Sequence, residues 1–349
     1  MITEIIKLSD DKSVYNEQIS RAGEVIKRGG LVVFPTETVY GLGADATSAD
    51  ASCKIYEAKG RPSDNPLIIH IASPEEAEKY TYTNDTFYRL ASRFMPGPLT
   101  VVLKSKDTVP LETRAGLDTV AVRCPEMQAA RDLISASGVS IAAPSANLSG
   151  SPSPTTAAHV IDDMSGRVDM ILDGGECDFG LESTIVKIED SGELTLLRPG
   201  KITVDDLLAV VDRVNIANAV KDKLKEGETV VSPGMKYRHY APRAPLLLLD
   251  GDEDKMIAYI KANPNDNIAV ICYDEHIERF ISEVPSAVIY SFGNKGDEAI
   301  QAHRLFSILR EADKAEHEII YAPLPSTDGV GLALYNRMIR AAAHMIIKL

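Results

Sequence analysis

The sequence predicts an α/β protein of two domains, and three observations carry that expectation. Its 349 residues exceed what a single hydrophobic core commonly supports. From residue 246 onward, short apolar runs alternate strictly with helical stretches, the pattern of a parallel sheet covered by helices. The N-terminal part mixes helices and strands less regularly, with polar but rigid runs at the strand ends. The expected division is an N-terminal open α/β domain over 1–216, an ordered strap or lid over 217–245 and a smaller Rossmann-like domain over 246–349.

In chain order, a helix is expected over 13–27, closed by Gly29 and Gly30, and it feeds an apolar strand at 31–34. Further strands are expected at 67–71, 99–103, 120–123, 140–143, 170–172, 184–188 and 194–197. Helical periodicity fills 49–58, 85–94, 127–137, 155–163 and 204–211. The strap is rich in Pro, Gly and aromatic residues, a composition too stiff for a free linker. Beyond it, strands at 246–249, 268–272, 287–291 and 319–322 complete the second domain.

Composition narrows the function classes. Hydrophobic residues at 44% and charged residues at 25% match soluble averages, and no apolar run reaches the roughly 20 residues of a membrane span. The first residues show no basic, apolar, small-residue export pattern. Cys53, Cys124, Cys177 and Cys272 are widely spaced and form no C-x-x-C pair, so reduced thiols in a cytoplasmic protein are expected. A net charge of −14 opposes stable non-specific nucleic-acid binding. An anion site must then be local, and 229–249 is one candidate: it holds Lys236, Arg238, His239 and Arg243 and no acidic residue.

The chemistry-bearing runs begin with Lys59-Gly-Arg-Pro-Ser-Asp-Asn-Pro-Leu-Ile-Ile-His70. Lys59 and Arg61, just after a helix, suit either a fork for carboxylate or phosphate oxygens or a solvated pair at a helix C-terminus. Asn65 precedes an apolar strand, and His70 inside that strand needs a partner if buried. The run Pro35-Thr-Glu-Thr-Val-Tyr-Gly-Leu-Gly43 superficially matches a dinucleotide fingerprint. Six residues separate its glycines from the strand, however, so backbone approach to a small ligand near the Thr36 hydroxyl is the better expectation. Ser145 and Asn147 alternate on a turn, which fits a site or a simple Asx turn. Arg123, Ser183 and Arg198 recur at strand ends. Tyr237, His239 and Tyr240 suit a lid over phosphates or an interdomain seam. There is no G-x-x-x-x-G-K-[ST], H-E-x-x-H or G-x-S-x-G run.

Taken with Leu196-Leu-Arg-Pro-Gly200, Ser232-Pro-Gly-Met-Lys-Tyr-Arg-His-Tyr-Ala-Pro242 and Gly329-Val-Gly-Leu-Ala-Leu-Tyr-Asn-Arg337, these motifs closely resemble the two-domain L-threonylcarbamoyladenylate synthases. The resemblance covers about 31–242 strongly and the rest mainly in architecture. It implies a twisted open N-terminal domain with a large basic-lined cavity. The implied reaction forms threonylcarbamoyl-AMP and pyrophosphate from L-threonine, bicarbonate and ATP with Mg²⁺, the first step of N6-threonylcarbamoyladenosine modification of tRNA. The implied partners are those substrates and the tRNA threonylcarbamoyl-transfer machinery.

Carried over by motif, Thr36, His70, Arg123, Ser145 and Ser183 resemble the threonine-contacting set. Lys59, Arg61, Asn65, Thr119, Asn147, Thr155, Arg198 and Tyr237 resemble the ATP-contacting set, with Lys59 and Arg61 the expected catalytic pair; the metal ligands stay undefined. The chemistry is consistent, because a carbamate must approach a phosphate, and joining two anions demands charge neutralisation more than a nucleophile. Two alternatives remain: a non-catalytic RNA-binding, translation-associated module, and an accessory domain acting on carbamoyl phosphate. Dependence on free threonine separates both from the first reading.

Overall fold

A computed structural model describes residues 2–222 and 239–349. These fall into two units. The first comprises 2–149, 153–178 and 182–222, and the second 150–152, 179–181 and 239–349.

The first unit runs β1 (Glu4–Lys7), α1 (Lys12–Lys27), β2 (Val32–Phe34), β3 (Gly41–Asp45), α2 (Ala49–Lys59), β4 (Ile68–His70), α3 (Asp85–Phe94), β5 (Leu99–Lys104) and β6 (Thr119–Arg123). It continues with α4 (Gln128–Ser137), β7 (Ile141–Ala143), α5 (Ala157–Met164), β8 (Met170–Asp173), β9 (Thr184–Ile188), β10 (Leu194–Arg198), α6 (Val204–Leu208) and β11 (Val214–Ile216). The strands form one mixed sheet in the order β1-β8-β2-β3-β7-β4-β6-β5-β9-β10-β11.

Helix starts follow local chemistry. The Asp11 carboxylate accepts from the amides of Ser13 and Val14 at the head of α1, and Ser48, Asn84 and Thr156 cap α2, α3 and α5 in the same way. Gly60, at φ 61°, closes α2 in the left-handed region, so the chain turns sharply between Lys59 and Arg61.

One core joins α1 and α4 to the sheet: Ile19, Ala22, Val25 and Ile26 with Ala130, Leu133 and Ile134 bury Phe34, Ile141, Ala143, Met170 and Leu172. A second cluster lies on the neighbouring strands. Ile68, Val102, Ala121, Ile185 and Leu197 form it, and Ala217 packs against it.

Four strands were not legible in the sequence: β1, β3, β11 and, in the second unit, the last strand. β1 buries only Ile6, and β3 carries two glycines, so neither shows the apolar periodicity expected of a strand. Gly41 and Gly43 correct the expectation of approach to a ligand. They approach Phe34 instead: a Cβ on Gly43 would lie 2.8 Å from that ring and 2.7 Å from Ile141 Cγ2.

The second unit runs β12 (Leu246–Asp250), α7 (Glu253–Ala262), β13 (Ile268–Cys272), α8 (Ile277–Glu283), β14 (Ala287–Ser291), α9 (Glu298–Lys314), β15 (Ile319–Pro323), α10 (Gly331–Ala341) and β16 (Ile346–Lys348). Its strands pair in parallel in the order β14-β13-β15-β12-β16, so the Rossmann-like expectation holds. Leu249, Ile268, Val270 and Tyr321 meet Met256, Ile257, Ile260, Phe280 and Val284 in its core. Among the described residues no helix is long and apolar enough to cross a membrane.

Candidate active site

Strand β4 divides the candidate site residues into two groups. It pairs in parallel with β6, placing His70 beside Arg123 at their carboxyl ends, and antiparallel with β7, placing Ile68 beside Ala143. The run after β7 therefore returns to the amino end of β4, where the Lys59–Asn65 turn also arrives.

At that amino end Lys59 is buried, with 3% of its surface exposed, so it is not a solvated cation. Its Nζ donates to the backbone oxygens of Ser145 and Asn147, each at 2.5 Å, and approaches Asn147 Oδ1 at 3.4 Å. The Ser149 amide bonds back to the Lys59 carbonyl at 2.9 Å. The Ser145 hydroxyl donates to Asn147 Oδ1 at 2.5 Å, so these two side chains do converge. Arg61 Nη2 donates to the carbonyls of Asn65 and Pro66 at 3.2 Å, which leaves a guanidinium tied to its own turn.

Asn65 is 1% exposed, and neither its Oδ1 nor its Nδ2 has a hydrogen-bond partner. A buried amide left in this state costs free energy that a ligand can recover. Thr119 opens β6 at this same end. It shares a face with Ala121 and Arg123, since strand residues two apart point the same way.

At the carboxyl end, Arg123 Nη2 donates to Glu37 Oε1 at 2.7 Å, with both side chains about 5% exposed or less. Burial alone would raise the Glu37 pKa, but Arg123 outweighs it and holds the carboxylate below its ordinary value. Arg123 Nε is buried and has no hydrogen-bond partner. His70 donates from Nδ1 to the Ile68 carbonyl, 3.1 Å away, and sets its ring edge-on to Phe34. Burial first, then the positive charge of Arg123, drop its pKa to about 3, so the imidazole is neutral at physiological pH. Burial likewise keeps the Cys177 thiol and Tyr40 phenol protonated.

The Thr36 hydroxyl contacts the Val39 carbonyl at 2.6 Å and Thr38 Oγ1 at 2.9 Å. Ser183 Oγ lies 2.8 Å from Thr100, the register partner of Arg123, and Arg198 donates to Ser183 Oγ at 3.1 Å and to its carbonyl at 3.0 Å. The geometry therefore couples Arg198, assigned by resemblance to the ATP set, directly to Ser183 of the threonine set. Thr155 is buried; its carbonyl accepts from the Cys177 amide at 2.9 Å.

Tyr237 lies outside the described residues, and so do Lys236 and Arg238. Tyr240 belongs to the second unit, where its ring stacks on Phe306 at 5.3 Å and lies under the Arg337 guanidinium at 5.6 Å. The ring of His239 sits 5.6 Å from that of Tyr240.

A family model described as "Telomere recombination", for the Sua5/YciO/YrdC group, matches residues 24–200, and one described as "Threonylcarbamoyl-AMP synthase, C-terminal domain" matches 202–343. The threonylcarbamoyl-AMP synthase of Bacillus subtilis is 40% identical over 98% of both chains. The chain belongs to the threonylcarbamoyl-AMP synthase family. The Pyrococcus abyssi synthase is 42% identical over 95% of this chain and 96% of its own. A solved structure of Pyrococcus abyssi Sua5 complexed with L-threonine superposes with TM-score 0.88, at 40% identity and with complete coverage of both chains. Family membership makes this chain a nucleotidyl-transferring enzyme of tRNA threonylcarbamoyladenosine biosynthesis, with ATP and L-threonine as substrates.

Sequence reasoning placed no role on Glu37, Thr100 or Cys177. Glu37 sat within a quoted motif, and its signal was a lone carboxylate in an otherwise neutral, rigid run; the ion pair with Arg123 is 86 residues distant in sequence and invisible without the fold.

Proposed function

We propose that the two ends of β4 are the two substrate subsites: threonine at the His70–Arg123 end and the ATP phosphates at the Lys59–Arg61–Asn65 end. The observation that carries this reading is a buried polar group without a hydrogen-bond partner at each end, the Asn65 amide at one and Arg123 Nε at the other. Each is an interaction waiting for an oxygen or N–H of a ligand. Between the two ends the strands are apolar, with Ile68 and Ala121 in one buried cluster.

Arg123 takes the threonine carboxylate, with neutral His70 able to accept from an amine or hydroxyl. Thr36 and Ser183 supply the shorter polar contacts, and Ser145, from the Lys59 end, would meet threonine where the two subsites join. Lys59, fixed by two carbonyls, faces the α-phosphate region together with Arg61, where the attacking carbamate and the phosphate bring like charges together. Bicarbonate supplies the carboxyl group: its carbon bonds to the threonine nitrogen, which loses a proton, and water leaves. The resulting carbamate oxygen attacks the α-phosphorus, and the bond to pyrophosphate breaks. Asn65, Thr119 and Asn147 complete the nucleotide side, and Arg198, bonded to Ser183 at the other end, and Thr155 would reach the nucleotide where the two substrates meet.

Mg²⁺ is proposed as the companion of ATP. Among the described residues no group of three or more His, Cys, Asp or Glu gathers to hold an ion by itself, so the ion would be carried mainly on the ATP phosphates, and no step is routed through it. The product passes to the threonylcarbamoyl-transfer machinery in the cytoplasm.

Incubation with ATP, bicarbonate, Mg²⁺ and each amino acid in turn, with mass detection of the adenylate, tests the whole reading. Threonylcarbamoyl-AMP formed only with threonine is expected. ATP turnover independent of any amino acid would overturn it.

A further inference from the structure

The threonine subsite contains a buried carboxylate that the reaction does not call for. Glu37 and Arg123 form an ion pair with both partners almost wholly enclosed, and a buried pair of this kind is seldom a net source of stability. Its effect on recognition is more direct. A lone buried guanidinium is a sink for any anion, and this active site must keep a triphosphate, pyrophosphate and bicarbonate within a short distance of it. Threonine differs from all three in carrying no net charge as it arrives, its carboxylate being offset by its ammonium.

The surroundings match that difference. His70 is held neutral, as are Cys177 and Tyr40, so they add no charge to the pair. Glu37 occupies Nη2 of Arg123 and leaves Nε buried without a partner. The guanidinium is thus locked in one orientation, with hydrogen-bonding capacity left for a carboxylate but with its charge already cancelled.

We propose that Glu37 is the specificity-determining residue of the threonine subsite, positioning Arg123 for an amino-acid carboxylate while excluding phosphate-type anions by cancelling its charge. Exclusion works by like-charge repulsion: a polyanion at Arg123 also meets the Glu37 carboxylate, whereas an amino acid brings its own ammonium. This inference rests on Arg123 as the carboxylate anchor.

The test uses the full-length protein and calorimetric titration of L-threonine and ATP, with inorganic phosphate as the competing anion. In Glu37→Gln, which keeps shape and removes charge, threonine affinity should fall about tenfold or more. Phosphate should now compete with threonine, while ATP affinity stays within about twofold. Wild-type threonine binding should be insensitive to the same phosphate. Glu37→Asp keeps the charge and serves if the amide variant does not fold; it should weaken threonine but still exclude phosphate. Titrated directly, phosphate should bind Glu37→Gln and should no longer bind when Arg123→Gln is added.

Absence of phosphate competition in Glu37→Gln, its appearance in Glu37→Asp, or parallel loss of threonine and ATP affinity would each overturn the proposal. Wild-type threonine affinity in Arg123→Gln alone would instead refute the anchor reading on which it stands.

Discussion

Acidification from pH 7.5 to pH 5 should destabilise the first unit through a single side chain, His70. Its pKa is about 3 in the folded protein against an ordinary 6.5, because burial and then Arg123 disfavour the imidazolium. The folded value is depressed, so the unfolded chain binds the extra proton. The stabilisation is therefore complete above pH 6.5 and is lost as pH falls toward 3. Each pH unit in that window costs about 1.4 kcal/mol, so about 2 kcal/mol has gone by pH 5. Against typical domain stabilities of about 5–15 kcal/mol, that loss is measurable.

The pH 5–6.5 window isolates His70 from Glu37, whose depressed pKa lies below 4.5 and whose stabilising contribution is lost only at lower pH. His317, also lowered by burial, adds a background slope that a comparison with His70→Asn removes. Urea unfolding of both proteins at intervals across this window should show the variant's stability rising less steeply with pH, by about 1.4 kcal/mol per unit. NMR of the imidazole gives the direct readout: its shifts should stay flat down to pH 5. A titration midpoint at or above about 6, or identical slopes in the two proteins, would refute the reasoning.

Three further outcomes follow from individual contacts. Lys59→Met should lower threonine-dependent pyrophosphate release by roughly 10²-fold, the scale for losing one preorganised charge, and a wild-type rate would defeat its catalytic assignment. Asn65→Leu should leave the melting temperature unchanged or slightly higher, because it removes an orphaned buried amide. The same change should weaken ATP binding about tenfold in a direct titration. Gly43→Ala should cost about 1–3 kcal/mol of stability in a melt, since its methyl group would collide with Phe34 and Ile141 from the opposite side of a tight β2–β3–β7 contact.

Much of this protein was written in local sequence. The parallel sheet over 246–349 follows from strict strand and helix alternation, because each strand buried on both faces must read as a short apolar block. Helix α2 ends at Lys59 because Gly60 can adopt a left-handed conformation, and the polar runs at strand ends marked the residues that gather at β4. Pairing decided the rest. Whether Lys59 was solvated or buried depended on the loop after β7 returning to cover it, 86 residues later, and no local pattern encodes that return. The glycines of β3 looked like a ligand loop until Phe34 took the space beside them. Glu37 became meaningful only when β6 delivered Arg123 to it. Charge state, burial and orphaned polar atoms are properties of the assembled neighbourhood, and such neighbourhoods form between residues that are distant along the chain.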